Sequence, residues 1–179
     1  MKLLIIQTSP HRTASTLLVN ALYGLVPEYS NKKILCAWRT NLDKKLEDII
    51  ILKHHCTDID KLMKGYKDGI NYKVVFICSE RKEINALIDP KYKTYDNTVV
   101  FSFEELNETK DNPLVEIVDN IYTKVKKVLP ENIQLDKSTC IERLNKMNAT
   151  YENIKNKDFS YVNSFYELHG SHRNRTNHE

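Results

Sequence analysis

The stretch Lys2 to Gln7 is a nearly unbroken apolar run, the pattern of a strand buried on both faces. Small polar residues separate it from an apolar helical stretch over Ser15 to Leu25, so the chain opens as strand, loop and helix. Lys33 to Trp38, Asp48 to His54, Lys73 to Cys78 and Thr98 to Ser102 are β-branched or apolar enough to supply further short strands, about five in all. Between and after them run helical periodicities. Leu114 to Leu129 places Leu114, Ile117, Val118, Ile121, Val125 and Val128 on one face, with Pro113 at its start and Pro130 at its end. Ser138 to Lys155 carries Ile141, Leu144, Met147, Tyr151 and Ile154 as a second stripe, read as packing. Apolar strands alternating with helices predict an α/β fold, a mainly parallel central sheet covered on both sides, with ligands at the carboxyl ends of the strands.

The 179 residues fit one domain over 1–173, followed by a polar tail at 174–179 with nothing to pack. No internal repeat or low-complexity linker divides them. A hydrophobic fraction of 41% beside 28% charged residues is ordinary for a globular protein. The net charge of +3, from 27 basic and 24 acidic side chains, suits a basic cleft but not a polyanion-coating surface, so nucleic acid is not the expected partner. Cys36, Cys56, Cys78 and Cys140 lack CxxC spacing and read as free thiols, and the short apolar run at Leu3 to Ile6 is no signal-peptide core or membrane span. A cytoplasmic protein is expected, in which the Asn-x-Thr triplets at Asn107, Asn148 and Asn174 carry no meaning.

Candidate chemistry begins in the loop Thr8-Ser9-Pro10-His11-Arg12-Thr13-Ala14-Ser15-Thr16, which aims unpaired backbone N–H groups and a positive helix end at whatever lies above. Thr13, Ala14 and Ser15 are small enough to let backbone approach an anion, Thr and Ser hydroxyls add donors, and Arg12 adds charge. The loop has neither the glycines nor the lysine of GxxxxGK[ST], which disfavours an ordinary ATP or GTP site. Next, the strand Asp48 to Leu52 ends in Lys53-His54-His55, placing two imidazoles where a parallel sheet presents ligands. Alternation sends His54 and His55 to opposite faces, so one of them reaches the loop.

Arg12-Thr13-Ala14-Ser15-Thr16 resembles the loop that holds the 5'-phosphosulfate in P-loop sulfotransferases, and Lys53-His54-His55 looks like the Lys-Thr-His at their matching strand end. The resemblance implies a three-layer P-loop-type fold and sulfuryl transfer from 3'-phosphoadenosine 5'-phosphosulfate, the co-substrate, to a hydroxyl acceptor, with no metal. It implies His55 as the base, with His54 its competitor, and Lys53 and Arg12 as further catalytic groups. His11, Arg12, Thr13, Ala14, Ser15 and Thr16 then hold the donor. Arg12 and Ala14 stand where the family often has lysine and glycine, and His54 where it has threonine.

The donor's 3'-phosphate needs a second site. Ser79 and Arg81 follow the strand Val74 to Cys78, in a place similar to the family's 3'-phosphate strand, although the family's later serine is absent from Asn85 to Leu87. Gly170, Ser171 and Arg173 occupy the place of the late donor loop. A zinc pair of His169 and His172 is the rival there, disfavoured for want of partner ligands. Trp38 and Tyr66 are available for adenine stacking without being assigned to it. The acceptor, a small molecule or a glycan, is shaped by Thr57 to Asn71 and Pro90 to Asn97, which show no decisive chemistry; a second subunit in a homodimer could complete a shallow cleft. The other readings are a P-loop phosphotransferase and a non-catalytic nucleotide-binding domain.

Overall fold

A computed structural model describes residues 2–36, 48–67, 72–157 and 162–169. Among them, five parallel strands form one sheet: β1 (Lys2–Thr8), β2 (Leu35–Cys36), β3 (Ile49–His54), β4 (Tyr72–Glu80) and β5 (Thr98–Ser102). They stand in the order β2-β3-β1-β4-β5. The central register pairs Leu4 of β1 with Ile50 of β3 and with Val74 of β4. All five expected strands are present, although β2 is only two residues long; Ala37 and Trp38 of that expectation lie outside the described residues.

The helices are α1 (Ser15–Leu25), α2 (Ile59–Lys67), α3 (Phe103–Leu106), α4 (Leu114–Lys126) and α5 (Lys137–Ile154). Side-chain alternation divides the core into two layers. Leu3, Ile5, Ile49, Ile51, Val75, Ile77 and Phe101 face α1, α4 and α5. Leu4, Ile6, Ile50, Leu52, Phe76 and Cys78 face α2 and the turn bearing Ile88 and Tyr92. Burying each such side chain contributes about 1.5–3 kcal/mol, which is why strands covered on both sides are apolar throughout. Cys78 and Cys140 are free, and burial pushes each thiol up to about 12, so they serve as core rather than chemistry.

Two sequence expectations change. The stretch Thr57 to Asn71 contains α2, whose Ile59 and Leu62 pack on the sheet. On α5 the buried stripe is Cys140, Arg143, Leu144, Met147, Tyr151 and Ile154, whereas Ile141 is only partly covered. Arg143 enters this core because its charge is satisfied: Nε and Nη2 donate to Asn20 Oδ1 at 3.1 and 3.0 Å, and Nη2 to the Phe165 carbonyl at 3.2 Å. Gly24 lets α1 and α5 touch, since a Cβ there would meet the Cys140 Cα at 2.6 Å. Beyond α5 a small antiparallel hairpin, β6 (Val162–Asn163) and β7 (Leu168–His169), returns to the middle of α1, where Asn20 Nδ2 donates to the Tyr166 carbonyl. No helix among the described residues is long and apolar enough to cross a membrane.

Candidate anion site and base

The connection leaving β1 runs toward β2 while that leaving β3 crosses to β4, so α1 and α2 fall on opposite faces and a crevice opens between the carboxyl ends of β1 and β3. There the loop after β1 meets Lys53-His54-His55, with Ser9 N donating to the His54 carbonyl at 3.4 Å. In the loop, Arg12 (φ 64°) and Ala14 (φ 62°) both adopt the left-handed conformation on either side of Thr13. Such alternation turns successive N–H groups toward one concavity, and the first turn of α1 adds its own. Ala14 is the helix N-cap and contributes no side-chain cap.

The loop is propped from below by β1 and β4. Ser9 Oγ accepts from Gln7 Nε2 at 2.7 Å, from Ser79 N at 2.8 Å and from Ser79 Oγ at 2.9 Å. Thr13 Oγ1 lies 3.0 Å from Ser79 Oγ and donates to the Pro10 carbonyl at 2.9 Å. Ser9, Thr13 and Ser79 have no exposed surface. This corrects two expectations: Ser79 is a strut of the loop rather than a phosphate contact, and the Thr13 hydroxyl faces inward, leaving that residue its backbone N–H for a ligand. Gln7 Oε1 is buried under the loop with no hydrogen-bond partner among the described residues.

The charged groups differ in their freedom. Arg12 and His11 are exposed, and the Arg12 guanidinium forms no hydrogen bond or ion pair with the described residues. Lys53 is buried; its Nζ donates to Thr16 Oγ1 at 3.2 Å and forms an ion pair with Glu167, the residue of the β6–β7 turn at φ 55°. Ser15 is buried at the start of α1. Arg81, expected at a 3'-phosphate, lies at the carboxyl end of β4 but is paired with Glu83 at 2.7 Å and stacked 4.0 Å over the Phe103 ring. Gly170, Ser171 and Arg173, like His172 and Trp38, lie outside the described residues, as does the side chain of His169.

The two imidazoles separate as strand alternation requires. His54 Nε2 lies 2.8 Å from the Tyr66 hydroxyl of α2, on the face away from α1, which also occupies Tyr66. His55 turns to the loop, where its Nδ1 meets the Ser9 carbonyl at 3.0 Å and its ring stacks on His11. A carbonyl only accepts, so Nδ1 carries the proton and Nε2, without a partner among the described residues, is the basic nitrogen. Burial holds His55 below the ordinary histidine value; the Ser9 bond opposes this, Lys53 and His11 reinforce it, and Glu167 opposes it. A neutral imidazole at physiological pH follows, the protonation state a general base needs.

Glu167 and the Asn20–Arg143 pair escape sequence reasoning. Arg143 leaves one clue, a cation within the apolar spacing of α5; Glu167 leaves none, because its partner Lys53 is far away in the chain. No family model matches the chain, and the curated proteins include no significantly similar sequence.

Proposed function

We propose that this chain is a cytoplasmic sulfotransferase that moves a sulfuryl group from 3'-phosphoadenosine 5'-phosphosulfate to a hydroxyl of a small molecule or glycan. The observation that carries the reading is His55, its Nδ1 spent on the Ser9 carbonyl and its Nε2 without a partner among the described residues, held by the same loop that carries Arg12 and the left-handed backbone at Arg12 and Ala14. A phosphosulfate brings less negative charge to the reacting centre than a triphosphate, so cationic side chains suffice for it without a divalent ion. The donor supplies the activated sulfuryl group, and the residues at the crevice fit it: a loop with left-handed backbone at Arg12 and Ala14, a guanidinium unpaired among the described residues, and a buried ammonium.

His55 Nε2 accepts the proton of the acceptor hydroxyl as that oxygen becomes nucleophilic. Arg12 and the loop N–H groups balance charge on the departing phosphate, and Lys53 does so once released from Glu167. The free, buried thiols of Cys78 and Cys140 suit a reducing compartment.

Calorimetric titration with 3',5'-adenosine bisphosphate, beside ATP with Mg²⁺, tests donor recognition. The bisphosphate should bind and Arg12→Ala should abolish it; preference for Mg-ATP would replace this reading with phosphoryl transfer. His55→Ala should lower turnover by about 10²–10⁴-fold, while His54→Ala should not approach that loss. Parental turnover in His55→Ala would rule out the base.

A further inference from the structure

The function proposed above uses the His11 backbone at most, yet the His11 side chain is placed against the base. Its ring lies 4.0 Å from that of His55, centroid to centroid, at an interplanar angle of 24°. We propose that His11 is a positioning residue for His55: its stacked ring fixes the plane of the base while the Ser9 carbonyl fixes the edge. This rests on the transferase reading, which it deepens.

An imidazole on the end of a strand turns about two side-chain bonds, the outer one broad and soft. One hydrogen bond at Nδ1 leaves rotation about the line through that bond. A ring against the face removes that rotation, and the two contacts together set where Nε2 points. Both come from one short loop, Ser9 and His11 standing two residues apart. The loop that is to grip the donor therefore also aims the base, and the two halves of the reaction share one rigid part.

The stack has an electrostatic side. Among the described residues, the titratable groups facing His55 are Lys53 from β3, His11 from the loop and Glu167 from the β6–β7 turn, with the uncharged Ser9 carbonyl at its edge. After burial, Lys53 and His11 are the groups that hold His55 below the ordinary histidine value. Removing the His11 ring should therefore let His55 take up a proton at higher pH, and should free its ring to turn.

The test uses the full chain with ¹⁵N-labelled histidine, titrated by NMR, beside steady-state sulfuryl transfer. In His11→Ala the His55 midpoint should rise and its Nε2-unprotonated tautomer should lose dominance. Turnover should fall by about 3–10-fold, the range of an aromatic contact, with the acid limb of the pH profile moved up. His11→Phe keeps a flat ring without the charge, so it should restore turnover on the alkaline side while the acid limb stays raised. A His55 midpoint and tautomer unchanged in His11→Ala overturn the proposal, and so does a folded His11→Phe that is as slow as His11→Ala. If the parent protein transfers no sulfuryl group, the transferase reading fails alone, and the NMR titration still decides whether the two rings are coupled.

Discussion

Glu167→Gln is the substitution that most directly probes the anion site. Lys53 and Glu167 have side chains only 4% and 20% exposed. Breaking a buried ion pair by removing one partner costs about 3–5 kcal/mol, because the remaining charge is stranded. Here the carboxylate is partly open to water, the amide oxygen of glutamine can still accept from Nζ, and Thr16 Oγ1 remains in place at 3.2 Å. The cost should therefore fall to about 1–3 kcal/mol. For a chain of this size that is a drop of about 3–10 °C in melting temperature. Adding an anion should reverse the effect selectively. At a hundredfold excess over its dissociation constant an anion contributes about 2.7 kcal/mol, and in the variant it meets a lysine that the Glu167 carboxylate no longer contests. Thermal melts of parent and Glu167→Gln, in oxyanion-free buffer and then with graded sulfate or 3',5'-adenosine bisphosphate, give the comparison. The variant should melt lower without anion and gain more with it. Equal melting temperatures without anion, or parallel rises with it, would refute the view that Glu167 holds a cation that an anion can claim.

Three further outcomes follow from the geometry. Gly24→Ala should gain about 1 kcal/mol of helix propensity but lose about 1–3 kcal/mol to overpacking, because the added Cβ meets the Cys140 backbone at 2.6 Å. Its urea midpoint should therefore fall, and an unchanged or higher one would mean that α5 moves aside freely. At Ala14 (φ 62°) the left-handed backbone costs alanine about 1–2 kcal/mol, against about 0.4–1 kcal/mol of chain entropy that glycine adds to the unfolded state. Ala14→Gly should thus raise stability by up to about 1 kcal/mol in the same assay, and a loss would contradict the strain. Burial holds both His54 and His55 below their ordinary 6.5, so the unfolded chain takes up these protons first as pH falls. Their contribution to stability is full above that value and is lost as pH drops through it toward the lower folded values. Melts at about pH 7.5 and about pH 5.5 should show the decline, and a flat profile would contradict it.

The layers of the fold are legible in the sequence because the physics that builds them is local. A strand covered on both sides must be apolar at every position, so β1, β3 and β4 appear as runs, and alternation alone assigns Leu4 and Ile5 to opposite layers. The helix α2 is less visible because Asp60, Lys61 and Lys64 interrupt a short apolar spacing at Ile59, Leu62, Met63 and Tyr66. At the site, the loop and the strand end are contiguous motifs, and the opposed directions of His54 and His55 follow from the strand period. Which of them meets the loop is tertiary: it depends on β3 lying beside β1 and on α1 covering one chosen face. Ser79 shows the opposite failure. A hydroxyl at the carboxyl end of a strand reads as a ligand, but here it lies beneath the loop it supports, between Ser9 and Thr13.

The parts of the site that no motif announces are held together by one buried side chain. Asn20 Nδ2 donates to the Thr16 carbonyl at 2.8 Å and to the Tyr166 carbonyl at 2.9 Å, while its Oδ1 accepts two bonds from Arg143. Thr16 and Glu167, the two partners of Lys53, are thereby tied to the same amide, one directly and one through the preceding residue. A guanidinium buried at this cost would be destabilising on its own, and burial does lower its pKa. It is retained with five hydrogen-bond donors in a fixed fork, two spent on Asn20 and others on the Ser30 and Phe165 carbonyls, against the faces of Tyr23, Phe165 and Tyr166. A lysine could not span these acceptors. The position of Glu167 on Lys53 therefore depends on the α1–α5 interface through Asn20, and changes at Arg143 should reach the anion site although Arg143 belongs to none of its motifs.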